Sequence, residues 1–212
     1  MKKILFAILF CLPILANAKA KKDDAPYLAG AVPEVNGVVT FQESFRVPGK
    51  SSIQIHDVMK SWIENLVENS IPAPTNYARV VMDEPDTIVA KVCEWQVFTK
   101  RFLNLDRARF RYTLAVSIDG DRVLITQTGL AWYYGEDMEG NRGDTYRAEE
   151  WINDANALNK TRDKLLPRSG KFRRKTIDRF NELMESAMDM FEETPKMVPT
   201  EQKKVRKAVS VD

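Results

Sequence analysis

The chain has 212 residues, 44% of them hydrophobic and 29% charged, enough for one core of ordinary domain size. Its 32 Lys and Arg against 30 Asp and Glu give a net charge of +2, and that excess is Lys2 and Lys3. The neutral remainder lacks the global positive charge of a nucleic-acid binder, so no nucleic-acid partner is expected.

Lys2 and Lys3 precede a short apolar run, Ile4 to Leu15, and then Ala16-Asn17-Ala18. This is the pattern of a cleavable secretory signal over residues 1–18, with cleavage after Ala18. The run is too short to cross a bilayer, and charged residues follow at once. Cys11 lies within the run and follows Phe10, which argues against lipidation. The expected location is the periplasm or outer envelope. After cleavage only Cys93 remains, so no internal disulfide can form and the domain relies on its core. Residues 19–37 read as a disordered linker, 38–193 as a single α+β domain and 194–212 as a disordered tail.

Alternation of Val39, Phe41, Phe45 and Val47 with polar residues predicts a half-buried strand over Val38 to Val47. Pro48-Gly49 ends it. Ser51 and Gln54 form a capping box for a helix whose Ile55, Val58, Met59, Trp62 and Leu66 make one apolar stripe. His56, the sole histidine, sits beside that stripe without partners at a catalytic or metal-binding spacing and reads as a surface or packing residue.

Four strands are predicted next: Arg79 to Met82, Thr87 to Phe98, Arg109 to Ile118 and Arg122 to Tyr134. Asp119-Gly120 reads as a type I′ turn, which sets Ile118 opposite Asp121, Val116 opposite Val123 and Leu114 opposite Ile125. Strict alternation then puts Arg109, Arg111 and Thr113 on the other face with Thr126, Thr128, Leu130, Trp132 and Tyr134. Arg109, Arg111, Trp132 and Tyr134 are therefore the candidate ligand- or partner-binding residues, a mixed aromatic and cationic face.

An acidic loop follows Gly135. A short helix is expected around Ala148 to Leu158 and a long one from Phe172 to Glu193, its stripe formed by Thr176, Phe180, Leu183, Met184, Ala187, Met188 and Phe191. The expected fold is α+β in the order β-α-β-β-β-β-α. It consists of an antiparallel sheet of four to five strands with its helices on one face.

Phe45 to Gly49 before a helix containing Trp62, then Ala148-Glu149-Glu150-Trp151-Ile152, Gly170-Lys171-Phe172-Arg173 and Thr176-Ile177-Asp178, give the chain a family likeness. Over most of residues 38–192 it resembles a bacterial envelope family described as a domain of unknown function with a TATA-binding-protein-like (TBP-like) fold, of the helix-grip kind. The resemblance implies a curved sheet gripped by helices and carries no active site with it.

Lys160 to Arg179 is a basic stretch. Lys171, Arg173, Arg174 and Lys175 form an alternative anion-binding group, for anionic lipid or glycolipid and hence peripheral membrane contact; the competing reading is a solvated face. Its positive charge sits at the start of the last helix and acids at its end, against the helix dipole, which calls for compensation or use. Asp137, Glu139, Asn141 and Asp144 depart from a calcium loop at its glycine and twelfth positions. No catalytic motif, metal site or cofactor is read from the chain. The expectation is a non-catalytic binding or interaction module whose partner is a small molecule or an envelope protein, with homo-oligomers allowed. An acid/base enzyme using the acidic loop is the remaining alternative.

Overall fold

A computed structural model describes residues 23–67, 76–101, 104–135 and 142–192. The segments read as an export signal (1–18) and a disordered tail (194–212), and most of the acidic loop, lie outside the described residues.

Among the described residues, seven strands and four α-helices follow in the order β1 (Glu34–Val35), β2 (Val38–Arg46), α1 (Ser52–Asn65), β3 (Tyr77–Glu84), β4 (Thr87–Arg101), β5 (Asn104–Asp119), β6 (Arg122–Tyr134), β7 (Asp144–Arg147), α2 (Ala148–Trp151), α3 (Asp154–Ala157) and α4 (Ser169–Glu192). These strands join one antiparallel sheet in the order β1-β2-β6-β5-β4-β3, with β7 also paired to β6. The fold is thus the expected α+β class with more strands than expected. The extra ones are too short for alternation to register. β1 turns into β2 through Asn36-Gly37, both at positive φ, a hairpin signal inside the segment read as linker.

The capping box of α1 is complete: the Ser51 hydroxyl accepts from the Gln54 N–H, and the Gln54 side chain accepts from the Ser51 N–H. Ile55, Met59, Trp62 and Ile63 bury the helix stripe against the even-numbered side chains of β4 and β5, among them Ile88, Ala90, Leu114 and Val116. α4 covers the same face: Phe180 meets Phe41, Phe191 meets Phe45, and Phe172 meets Phe98 and Trp132. The helix expected over Ala148 to Leu158 is two single turns, because Asn153 leaves helical geometry to cap α3 by accepting from the Asn156 N–H.

Two features of the β5–β6 hairpin differ from expectation. Asp119 pairs with Arg122, so the turn is Gly120-Asp121, with positive φ at Gly120 alone; Ile118 faces Val123 and Val116 faces Ile125. The shift preserves which residues face inward. The second feature does not. Gly129 (φ +64°) and Leu130 stand opposite Tyr112 alone, a β-bulge that reverses the alternation of β6. Before it Val123, Ile125 and Gln127 point to the core; after it Leu130 and Trp132 do.

A side chain at Gly129 would be forced into the left-handed region, with its Cβ 3.6 Å from Thr113 Oγ1. Gly129→Val is expected to destabilise by about 1–3 kcal/mol in a denaturation experiment. An unchanged midpoint would mean that the bulge is not held by this residue.

Candidate functional site

The helices leave the opposite face of the sheet uncovered among the described residues, and an aromatic and cationic surface does lie there, built from different aromatics than alternation implied. Trp95 pairs across the ladder with Arg109, and Val97 with Arg107. The Arg107 guanidinium lies 3.8 Å from the centre of the Trp95 ring and that of Arg109 lies 5.5 Å from it. Arg109 also lies 5.8 Å from the ring of Tyr133, its partner on β6. Arg111 continues the row beside Cys93 and Ala131, while Tyr77, Arg79, Lys91 and Arg147 extend the face to either side. None of these register positions holds a carboxylate. Stacking on an arginine orients each indole or phenol ring and presents flat aromatic surface and positive charge together.

Of the four candidate residues, Arg109 and Arg111 are on this face. Trp132 and Tyr134 are not, because the bulge at Gly129 turns both to the helix side. Trp132 is fully buried, stacked on Phe110 at 5.2 Å, and its Nε1–H donates to Gln96 Oε1 at 2.9 Å. Tyr134 donates to Asp106 Oδ1 and packs edge-on against Phe172. Trp95 and Tyr133 take their places. Alternation along β4 offered Trp95, but only the ladder register puts it beside two arginines.

Cys93 is buried under this face, and burial pushes its thiol pKa up, against the neighbouring Arg111. His56 Nε2 lies 3.0 Å from Asp83 at the edge of α1. No group of three or more His, Cys, Asp or Glu among the described residues is placed to hold a metal.

Within the basic stretch, four cations of α4 are engaged inside the fold. Arg173 has no exposed side-chain surface and donates to the carbonyls of Tyr27, Leu28 and Ile152 and to Asp154 Oδ1, at 2.6 to 2.8 Å. Arg174 pairs with Asp24, Lys171 Nζ with Asp106 at 2.7 Å, and Arg179 in a two-pronged contact with Glu94 at 2.9 Å. Each acid comes from a different element. This supplies the compensation that α4 requires, since basic residues in its first turns oppose the helix dipole. Lys175 stays partly exposed beside a cleft between α4 and β4.

Arg173 also corrects the linker. Residues 23–35 form a strap tied across α3 and α4: Tyr27 donates to Asp178 at 2.6 Å, Gly30 N–H donates to Asp154 at 2.9 Å, and Val32 is buried. Composition suggested disorder because the strap is held by its carbonyls and a single tyrosine, which leave no periodic pattern.

A second concavity of about 380 Å³ lies on the helix side, lined by Tyr134, Asp144, Tyr146, Trp151, Arg168, Lys171 and Phe172 among others.

The model of a family described as "Domain of unknown function (DUF4468) with TBP-like fold" matches residues 41–131. A DUF4468 family protein from Bacteroides ovatus, known from its crystal structure, is 33% identical and superposes with a TM-score of 0.71, covering 84% of this chain and 100% of that one. A TBP-like protein from Parabacteroides distasonis has the same fold at 16% identity and a TM-score of 0.59, over 76% of this chain and 97% of that one. No curated protein matches. With that identity over the whole length of the Bacteroides ovatus protein, and the sheet and helices superposed, the chain belongs to the DUF4468 family of TBP-like domains.

Proposed function

We propose that this protein is an exported, non-catalytic interaction module that takes an acidic envelope protein on the open face of its sheet. The observation that carries the reading is Trp95 set between Arg107 and Arg109, with Tyr133 beyond, on a face that no described helix covers. Tryptophan, tyrosine and arginine are the residues on which protein interfaces concentrate their binding energy. The cations that flank this pair on the same face, Arg79, Lys91, Arg111 and Arg147, stand opposite residues that are not carboxylates and favour an acidic partner.

Replacing Arg107 and Arg109 together with glutamate is expected to weaken binding of the mature chain to its host envelope fraction at least about tenfold in a pull-down titration, because charge is reversed where an acidic partner would dock. Lys160→Glu, an exposed change in the basic stretch, should leave binding unchanged. Equal loss in both variants would favour diffuse attraction to anionic lipid or glycolipid and overturn the reading.

Export rests on the charged start, short apolar run and small-x-small site of residues 1–18. Protein recovered from the envelope of the host should have the denatured mass of a chain beginning at Lys19. An intact Met1 terminus would remove the compartment on which the choice of partner depends.

A further inference from the structure

The cavity beneath Tyr134 has a composition that the open face does not share. Four aromatic rings wall it: Tyr146 packs on Trp151 at 4.4 Å, Tyr134 stands edge-on to Phe172 at 5.3 Å, and Trp151 stands edge-on to Phe172 at 5.9 Å. Among the described residues its charged lining is balanced. Lys171 and Arg168 face Asp144, with Asp106 close behind, bonded to both Lys171 and Tyr134. The Arg168 guanidinium is exposed on this lining.

Each property narrows the ligand. A purely apolar molecule would strip water from Asp144, Arg168 and Lys171 and return no hydrogen bond, which is costly for charged groups. A simple anion would find Lys171 already paired with Asp106 and would meet the Asp144 carboxylate in the same lining, and it would not use the rings. A neutral polyhydroxylated ring satisfies both halves. Its C–H face lies on aromatic surface, and its hydroxyls donate to Asp144 and accept from Arg168. The volume of about 380 Å³ lies within the range of small-molecule sites and suits one sugar ring with room for its neighbour.

We infer that this cavity is a carbohydrate subsite that takes one neutral pyranose unit, separate from the open face of the sheet.

The test is a ligand-observed NMR titration of the mature chain with the methyl pyranosides of glucose, galactose, mannose and N-acetylglucosamine, with benzoate as a planar anion of similar size. At least one pyranoside should bind saturably, and benzoate should not. Arg168→Ala, an exposed change, should weaken that binding about tenfold with the unfolding midpoint unchanged. Trp95→Ala on the open face should leave it intact. The assignment is overturned if no pyranoside binds, if benzoate binds in their place, or if Arg168→Ala binds as the parent does.

Discussion

Arg173→Met is expected to lower the stability of the domain by about 3–5 kcal/mol, the range for removing one partner of a buried ion pair. The side chain is fully buried, and its loss leaves the carbonyls of Tyr27, Leu28 and Ile152 and the carboxylate of Asp154 without their common donor. Arg173→Lys should recover little, because one ammonium cannot reach acceptors spread around a planar fork. Denaturant unfolding gives the magnitude, and limited proteolysis gives the location: cleavage within 23–35 should accelerate before the sheet is attacked. A loss below about 1 kcal/mol would mean that the strap is held by something else.

The strap also sets a pH window. Burial works against the Asp154 carboxylate, but the Gly30 N–H and Arg173 outweigh it, so its pKa lies below the ordinary 3.8. A depressed carboxylate contributes stability that is present above its unfolded value and is lost as the pH falls through the folded one. Tyr27 works in the other direction. Its hydrogen bond to Asp178, helped by burial, pushes the phenol from 10.0 up to about 12. Its contribution is complete below 10.0 and is lost as the pH rises through about 12. Protease resistance of the strap should therefore be flat near neutrality and fall at both extremes, and Tyr27→Phe should remove the alkaline limb alone.

Glu94→Ala should cost a comparable amount, about 3–5 kcal/mol, for the same physical reason at a different place. Glu94 accepts from the buried Tyr112 hydroxyl at 2.9 Å and from two nitrogens of Arg179 at 2.9 Å, tying α4 to the centre of β4. Burial opposes the charge on Arg179, but Glu94 more than offsets this, so the guanidinium pKa is raised. Burial together with Glu94 also drives the Tyr112 phenol well above its ordinary value. Arg179→Met alone should be similarly damaging. The double change to Glu94→Leu and Arg179→Met should cost much less than the two single changes added, since a buried pair replaced by apolar groups leaves neither charge stranded. Strict additivity would show that the two side chains do not act as a pair.

Legibility differed between core and site. The α1 capping box, the strand alternation before the bulge and the apolar stripe of α4 each depend on side chains close in sequence, and they appear as read except that Met188 of the stripe is exposed. The candidate surface depends on which faces meet. Gly129 inverted the alternation at the end of β6, exchanging Trp132 and Tyr134 for Tyr133. A glycine within a strand is itself a sign of a bulge, so the reversal had a trace in the sequence, but its position relative to Tyr112 did not. The cations of α4 illustrate the same limit. The acids that partner them, Asp24, Glu94, Asp106 and Asp154, are scattered along the chain, and no spacing rule connects them to the helix.

Residue order alone was enough for the longer elements and the class of fold, because hydrophobic period, caps and turn residues act over a few positions and survive in any context. It also carried the family likeness. Which side chains share a surface was settled in three dimensions. Ladder register put Trp95 beside Arg107 and Arg109, one bulge sent Trp132 inward, and long-range pairing bound the basic residues of α4 to acids on the strap, on α3 and on two strands. Most of these contacts join residues far apart in the chain, so local pattern holds no record of them.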